Sequence, residues 1–160
     1  MYFGEHQVSF DEKGRMTLPK RFRSLSEGLG HIVWYMTRGF DKTISLYHRD
    51  EWMKIQGQVS AYSSMNTKAI DFKRLLLASV AEGKLDDLGR MIVPPYLRDM
   101  AGIDKEAILI GVGDHLELWS RDAWRDFQRQ GDTGFKEMAA QLFADVAMAA
   151  PQHAEGAVHA

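Results

Sequence analysis

The chain has 160 residues, 45% hydrophobic and 26% charged, with a formal net charge of −2, the balance of an ordinary globular protein forming one domain or two small packed halves. The absence of cysteine excludes disulfides, thiolate metal sites and thiol nucleophiles, and no apolar run approaches the roughly 20 residues that cross a bilayer. Residues 1–6 lack a basic stretch followed by an apolar one, the mark of a secretory signal, so a cytoplasmic protein is expected.

In chain order, residues 6–10 read as extended, with Val8 and Phe10 alternating with polar neighbours. Residues 11–14 form a tight turn, with Asp11 suited to its first position and Gly14 to its last, where a left-handed backbone is needed. Residues 15–18 begin the return strand of a hairpin, and Pro19 opens a short helix over 20–25. Strands follow at 32–37 and 43–47, rich in β-branched and aromatic residues. Asp50 is expected to cap a helix over 51–61, and residues 63–66 form a loop before a second helix, Thr67–Ala78. A further turn at 86–89, a short helix at Pro95–Met100 and strands near 107–112 and 115–119 come next. Ser120 or Asp122 starts a helix that Gly131 to Gly134 interrupts and that resumes over 135–148 along an apolar stripe. The tail, 152–160, lacks apolar bulk and is expected to be disordered.

The chain contains itself twice. When residues 10–23 are laid over 85–98, Asp, Gly, Arg, Met, Pro and the final Arg coincide, where average residue usage gives on the order of one match. Further on, residues 44–52 lie over 116–124 at an offset three residues shorter, which a longer loop near Gly39, Phe40 and Asp41 absorbs. The order of elements is therefore duplicated, which sets the architecture.

Hairpin turns hold their central side chains in solvent, so Glu12 and Lys13 are exposed, with Arg15 just inside the strand. Asp11 accepts hydrogen bonds from turn amides and can hold Arg15 in one orientation. A guanidinium so held has the geometry to read guanine O6 and N7 in the major groove, while Lys13 neutralises a phosphate or adds a base contact. The stretch from Lys13 to Arg23 carries Lys13, Arg15, Lys20, Arg21 and Arg23 without an acid, a local basic patch on a near-neutral chain. The competing reading is plain turn chemistry, with the Asp–Arg pair only stabilising a loop. The copies differ: Leu88 stands for Lys13, Pro95 for Lys20 and Tyr96 for Arg21, and Asp86 and Asp87 flank the second turn. The first hairpin is therefore expected to carry most of a nucleic-acid contact, with Arg90 secondary.

The doubled Asp-x-x-x-Arg motif with its following Pro and Arg resembles the MraZ regulators, which are built on the AbrB-like swapped-hairpin fold. Phe3-Gly4, Ser63-Ser64-Met65-Asn66 and Arg74-Leu75-Leu76-Leu77 are similar to that family as well. The resemblance implies an α+β fold of two pseudo-symmetric AbrB-like β-hairpin/β-barrel halves with flanking helices. Its segments would be 3–50 and 79–122 for the repeats, 51–78 for connecting helices, 123–149 for C-terminal helices and 150–160 for a disordered tail. It also implies a nucleoid-associated regulator, usually a repressor, that binds double-stranded DNA at short direct repeats in its own promoter region, ahead of division and cell-wall genes. The partner would be bound by a ring of identical subunits, through Lys13, Arg15 and Arg90 with Lys20, Arg21 and Arg23 nearby. Asp11, Gly14, Asp86 and Gly89 would shape the loops. No cofactor, metal, membrane or chemistry is expected.

Other constellations are weaker. None of the six histidines has metal-ligand spacing, so packing or surface roles are expected. The four tryptophans read as core or interface anchors, and Trp52 and Trp124 occupy matching places in the two halves. Two rival readings stand beside DNA binding, an AbrB-fold assembly or antitoxin-like protein-binding module and a small β-barrel enzyme, and a helix-turn-helix within residues 67–84 is an alternative DNA-binding element.

Overall fold

A computed structural model describes residues 1–27 and 33–149. The chain divides into two units, Met1–Trp124 and Arg125–Ala160. In the first, β1 (Tyr2–Ser9), β2 (Arg15–Thr17), α1 (Lys20–Glu27), β3 (Val33–Arg38) and β4 (Ile44–His48) are followed by α2 (Arg49–Ala61) and α3 (Thr67–Ala78). The series then repeats as β5 (Ala81–Lys84), β6 (Arg90–Ile92), α4 (Pro95–Met100), β7 (Glu106–Gly113) and β8 (Leu116–Trp119), before α5 (Arg121–Ala149). The architecture is α+β.

The two repeats interlock. One sheet runs β1-β7-β8-β4-β3-β5, and a second consists of β2 and β6. The first strand of each repeat thus pairs with the third strand of the other, β1 with β7 and β5 with β3. The second strands pair with each other, and β4 meets β8 at the centre. This corrects the expected return strand: β2 does not form a ladder with β1. After the turn only one bridge, Phe10 to Met16, joins them, and β2 then crosses to the other repeat. The side chains dictate the exchange, because Met16, Leu18, Met91 and Val93 are all buried at 1% exposure or less and each second strand covers the other's apolar positions.

The common core also takes Phe22, Trp34, Met36, Leu97, Leu109 and Leu118, each contributing about 1.5–3 kcal/mol of burial. The three-residue offset sits where the sequence placed it. Five residues separate β3 from β4 and two separate β7 from β8. In the longer loop Asp41 and Lys42 both have positive φ (57° and 58°) and Thr43 N donates to Phe40 O, a type I′ turn.

Asn66 caps α3, accepting from the Lys68 and Ala69 amides. Asp50 does not cap α2 as expected. The helix begins at Arg49, after His48, and Asp50 lies in its first turn, where its charge favours the positive end of the helix dipole. Trp52 stacks on Tyr35 at 5.7 Å between ring centroids, and Trp124 packs edge-on to Trp119 at 5.3 Å. No residue of α3 is buried, and Leu75 and Leu77 stand about half exposed.

The expected interruption at Gly131 and Gly134 is absent, and α5 is continuous from Arg121 to Ala149. Each glycine costs a helix only about 1 kcal/mol, no proline intervenes, and Thr133 Oγ1 donates back to Gln130 O. In the second unit Phe135, Met138, Leu142 and Val146 line one exposed helical face. The expected tail and Ile32 lie outside the described residues. No described helix is long and apolar enough to cross a membrane.

Candidate nucleic-acid interface

The two Asp-x-x-x-Arg turns fold into the same clamp. Asp11 Oδ1 accepts from the Lys13 and Arg15 amides at 2.9 Å each, and its Oδ2 accepts from Arg15 Nε at 2.6 Å. Asp86 Oδ1 likewise accepts from the Leu88 and Arg90 amides at 3.0 and 2.8 Å, and Oδ2 from Arg90 Nε at 2.8 Å. Gly14 and Gly89 close the turns at φ 75°, a left-handed backbone that a side chain would strain, and donate to the Asp11 and Asp86 carbonyls. In each clamp the arginine's backbone amide leads in holding the carboxyl below the usual carboxylate range. The guanidinium and the remaining turn amide (Lys13 or Leu88) help, against a desolvation penalty. Both aspartates therefore stay charged at neutral pH.

The clamps belong to one surface. In the β2–β6 ladder Arg15 pairs with Ile92, Met16 with Met91 and Thr17 with Arg90. Directly opposed residues share a face, and faces alternate along a strand. Met16 and Met91 are buried, so Arg15, Thr17, Arg90 and Ile92 form the outward face. Its arginines occupy one diagonal, about 7–8 Å apart, with side chains 27% and 30% exposed. Each Nε is bonded to its aspartate, which leaves the Nη edge of each guanidinium for a ligand.

Each repeat also supports the other's turn. Leu18 N donates to Gly89 O and Val93 N to Gly14 O, at 2.9 and 3.0 Å. The closing arginines of the motif cross over in the same sense. A Cβ built on Gly14 would lie 2.9 Å from Arg98 Nη2, and one on Gly89 would meet the Arg23 guanidinium. Arg98 is further held by Nε donating to Val93 O at 3.1 Å.

The remaining candidates are dispersed. Glu12 and Lys13 are exposed at the first turn, while Leu88 is exposed at the second. Lys20 is exposed at the start of α1, and Arg21 lies 3.6 Å over the centroid of the Phe3 ring, a cation–π contact. Arg23 is half-buried beneath the second turn rather than displayed beside the first. The sequence reading missed Thr17 and Ile92, which only cross-strand register reveals, and the crossing of Arg98 to the other repeat's turn.

A separate concavity of about 600 Å³ is lined by the β3–β4 loop, α2 and α3, with Phe40, Tyr62, Phe72 and Leu75 on its walls together with Tyr47, His115 and Glu117. His115 Nδ1 lies 2.7 Å from Asp114 Oδ1 and Nε2 3.5 Å from Glu117 Oε1, and its ring stacks on Tyr47 at 4.8 Å. Among the described residues no group of His, Asp and Glu is arranged to hold a metal ion.

A family model described as "MraZ protein, putative antitoxin-like" matches the chain twice, over residues 1–75 and 76–146. The chain is 38% identical over 142 residues to the transcriptional regulator MraZ of Syntrophomonas wolfei, an alignment covering 89% of this chain and 96% of that protein. Proteins of the same name from Caldanaerobacter subterraneus and Natranaerobius thermophilus are each 34% identical over the same shares. With its repeats and paired clamps, this chain belongs to the MraZ family of transcriptional regulators, not to a family of enzymes.

Proposed function

We propose that the protein regulates transcription by sequence-specific binding of double-stranded DNA through the outward face of the β2–β6 ribbon. The observation that carries this reading is the pair of aspartate-clamped arginines on one solvent-facing diagonal. A guanidinium already fixed in orientation loses little freedom on binding, and its Nη edge matches guanine O6 and N7 in the major groove, which admits a two-stranded ribbon. A diagonal of 7–8 Å corresponds to about two base-pair steps of 3.4 Å, so Arg15 and Arg90 of one subunit address the same stretch of groove. Lys13 and Lys20 neutralise phosphates, with Arg21 at the margin. Arg23, Asp11, Asp86, Gly14 and Gly89 shape the turns.

One ribbon offers few contacts, so affinity comes from several. In this reading identical subunits form a ring and engage direct repeats spaced about one helical turn, roughly 10 bp, so that neighbouring ribbons meet the same side of the duplex. The target is the protein's own promoter region ahead of a division and cell-wall gene cluster, the usual outcome is repression, and the protein associates with the nucleoid. Leu88 in place of Lys13 makes Arg15 the stronger contact and Arg90 the weaker.

The test is a binding series on the DNA upstream of the protein's own gene with wild type, Arg15→Ala and Arg90→Ala. A lost bidentate guanine contact weakens discrimination about five- to 150-fold per site, with the larger loss expected at Arg15 while folding and assembly persist. Normal binding by Arg15→Ala would overturn the assignment.

The antitoxin-like wording of the family description and the open apolar cleft favour a second reading, a protein-binding module. DNA affinity that falls steeply with salt supports the first reading, and a DNA-blind, salt-insensitive assembly supports the second.

A further inference from the structure

The outward face of the β2–β6 ribbon carries a residue that neither turn chemistry nor charge accounts for. Ile92 stands 54% exposed directly across the ladder from Arg15. Its neighbours in sequence are fixed, with Met91 and Val93 at 1% and 0% exposure, so the backbone has little freedom to withdraw the side chain. Ile92 is also β-branched and stiff about its first torsion. The ribbon therefore presents a rigid aliphatic group, in a defined place, beside a clamped guanidinium. Its counterpart under the pseudo-twofold is Thr17, across from Arg90, which carries a single methyl on Cβ.

We propose that Ile92 reads the 5-methyl group of a thymine adjacent to the base contacted by Arg15, which makes it a specificity-determining residue that no charge pattern would reveal. The inference rests on the DNA-reading role of the ribbon. Opposed Cβ atoms on one face lie about 4.5–5.5 Å apart, and neighbouring base pairs are stacked 3.4 Å apart. A side chain opposite Arg15 therefore falls on the next step of the groove floor. Of the major-groove edges only thymine offers a methyl group, and apolar side chains recognise it by contact. The asymmetry of the face gives polarity to the site: the Arg15–Ile92 pair is the stronger reader of a guanine–thymine step, and the Arg90–Thr17 pair the weaker.

The experiment uses the full-length protein and a duplex recovered by selection from a randomised library. Each thymine of that duplex is replaced in turn by uracil, which removes only the methyl group. Affinities are measured by fluorescence anisotropy for wild type, Ile92→Thr and Arg15→Ala. Thr occupies the equivalent exposed position 17, so Ile92→Thr is compatible with the strand. Wild type is expected to lose on the order of fourfold, the worth of one buried methyl group, at a uracil next to a required guanine. Ile92→Thr, which keeps only one methyl group on Cβ, should show a clearly smaller uracil penalty than wild type. Equal uracil penalties in both proteins, a selected site without such a thymine, or a variant that changes particle mass instead of base preference would overturn the proposal. If Arg15→Ala selects and binds the same duplex as wild type, the DNA-reading role of the ribbon is what fails. If Arg15→Ala loses the guanine requirement but uracil sensitivity persists undiminished in Ile92→Thr, only the role of Ile92 fails.

Discussion

Replacing Gly89 by alanine tests whether each repeat holds the other's turn. Any L-residue in the left-handed region costs about 1–2 kcal/mol, and Gly14 and Gly89 share a φ of 75°, so this contribution is common to both. The surroundings differ. At Gly14 the nearest heavy atoms to a new Cβ are Arg98 Nη2 at 2.9 Å and Cζ at 3.5 Å, whereas at Gly89 the methyl would meet Arg23 along its length, with Cδ at 2.6 Å. A flexible tip at 2.9 Å can shift by a few tenths of an ångström, but Arg23 must leave its half-buried place, which adds on the order of 1 kcal/mol for lost contacts. Gly14→Ala should thus cost about 1–2 kcal/mol and Gly89→Ala about 2–3 kcal/mol. At about 4 °C per kcal/mol for a unit of this size, the midpoints fall by about 4–8 °C and 8–12 °C. Calorimetry at fixed protein concentration measures both, since assembly makes Tm depend on concentration. In an Arg23→Ala background the extra cost at Gly89 should vanish, which a double-mutant cycle reads directly. Equal losses at the two glycines, or strict additivity with Arg23→Ala, would refute the cross-repeat support.

The methionine pair beneath the ribbon gives a second expectation. Met16→Ala should destabilise the fold by about 2–5 kcal/mol, because Met16 is fully buried against Met91, and chemical denaturation that shows less than about 1 kcal/mol would mean that the ribbon does not close the core. His115 gives a third. Burial opposes its charged form, but hydrogen bonds to Glu117 and Asp114 and their charges outweigh that and raise its pKa above 6.5. A raised folded-state pKa contributes stability that is full below the unfolded value and lost as pH rises through the folded one. The advantage of wild type over His115→Gln in thermal melts should therefore be largest below about pH 6.5 and shrink above it, and an advantage that is flat or grows with pH contradicts the assignment.

What the residues announced in advance was local. Asp11 and Gly14, with Asp86 and Gly89, specify their turns through side-chain acceptance and left-handed backbone, chemistry contained within five residues. Pro95 marks a helix start by the same kind of short-range rule, whereas the cap at Asn66 reads in the sequence only as part of a loop. Val8 and Phe10 declared a strand but could not name its partner, because pairing depends on which distant apolar face completes the core. The exchange of β1 onto β7 and of β2 onto β6 was therefore hidden. With it were hidden the placement of Arg15 and Arg90 on one face, the exposure of Ile92 between them and the crossing of Arg23 to the second turn. Gly131 and Gly134 misled in the opposite direction, since two weak helix formers do not stop a helix whose other residues continue its pattern.

The interlocking also bears on why two copies reside in one chain. A single repeat has no partner for its second strand, so it cannot build the ribbon that displays the arginine, and its turn lacks the backbone amide and guanidinium contributed by the other copy. In a dimer of identical repeats every substitution would appear at both turns. A tandem chain frees the two sites from that constraint. One turn keeps Lys13 beside its arginine while the other carries Leu88, and the weaker copy still serves the stronger, because Gly89 O anchors Leu18 N and Arg98 lies against Gly14. The second repeat therefore helps to build the first repeat's clamp, and on the proposed DNA-reading role it matters there even where it would touch no base. A substitution such as Gly89→Ala should accordingly weaken DNA binding through Arg15 as well as through Arg90.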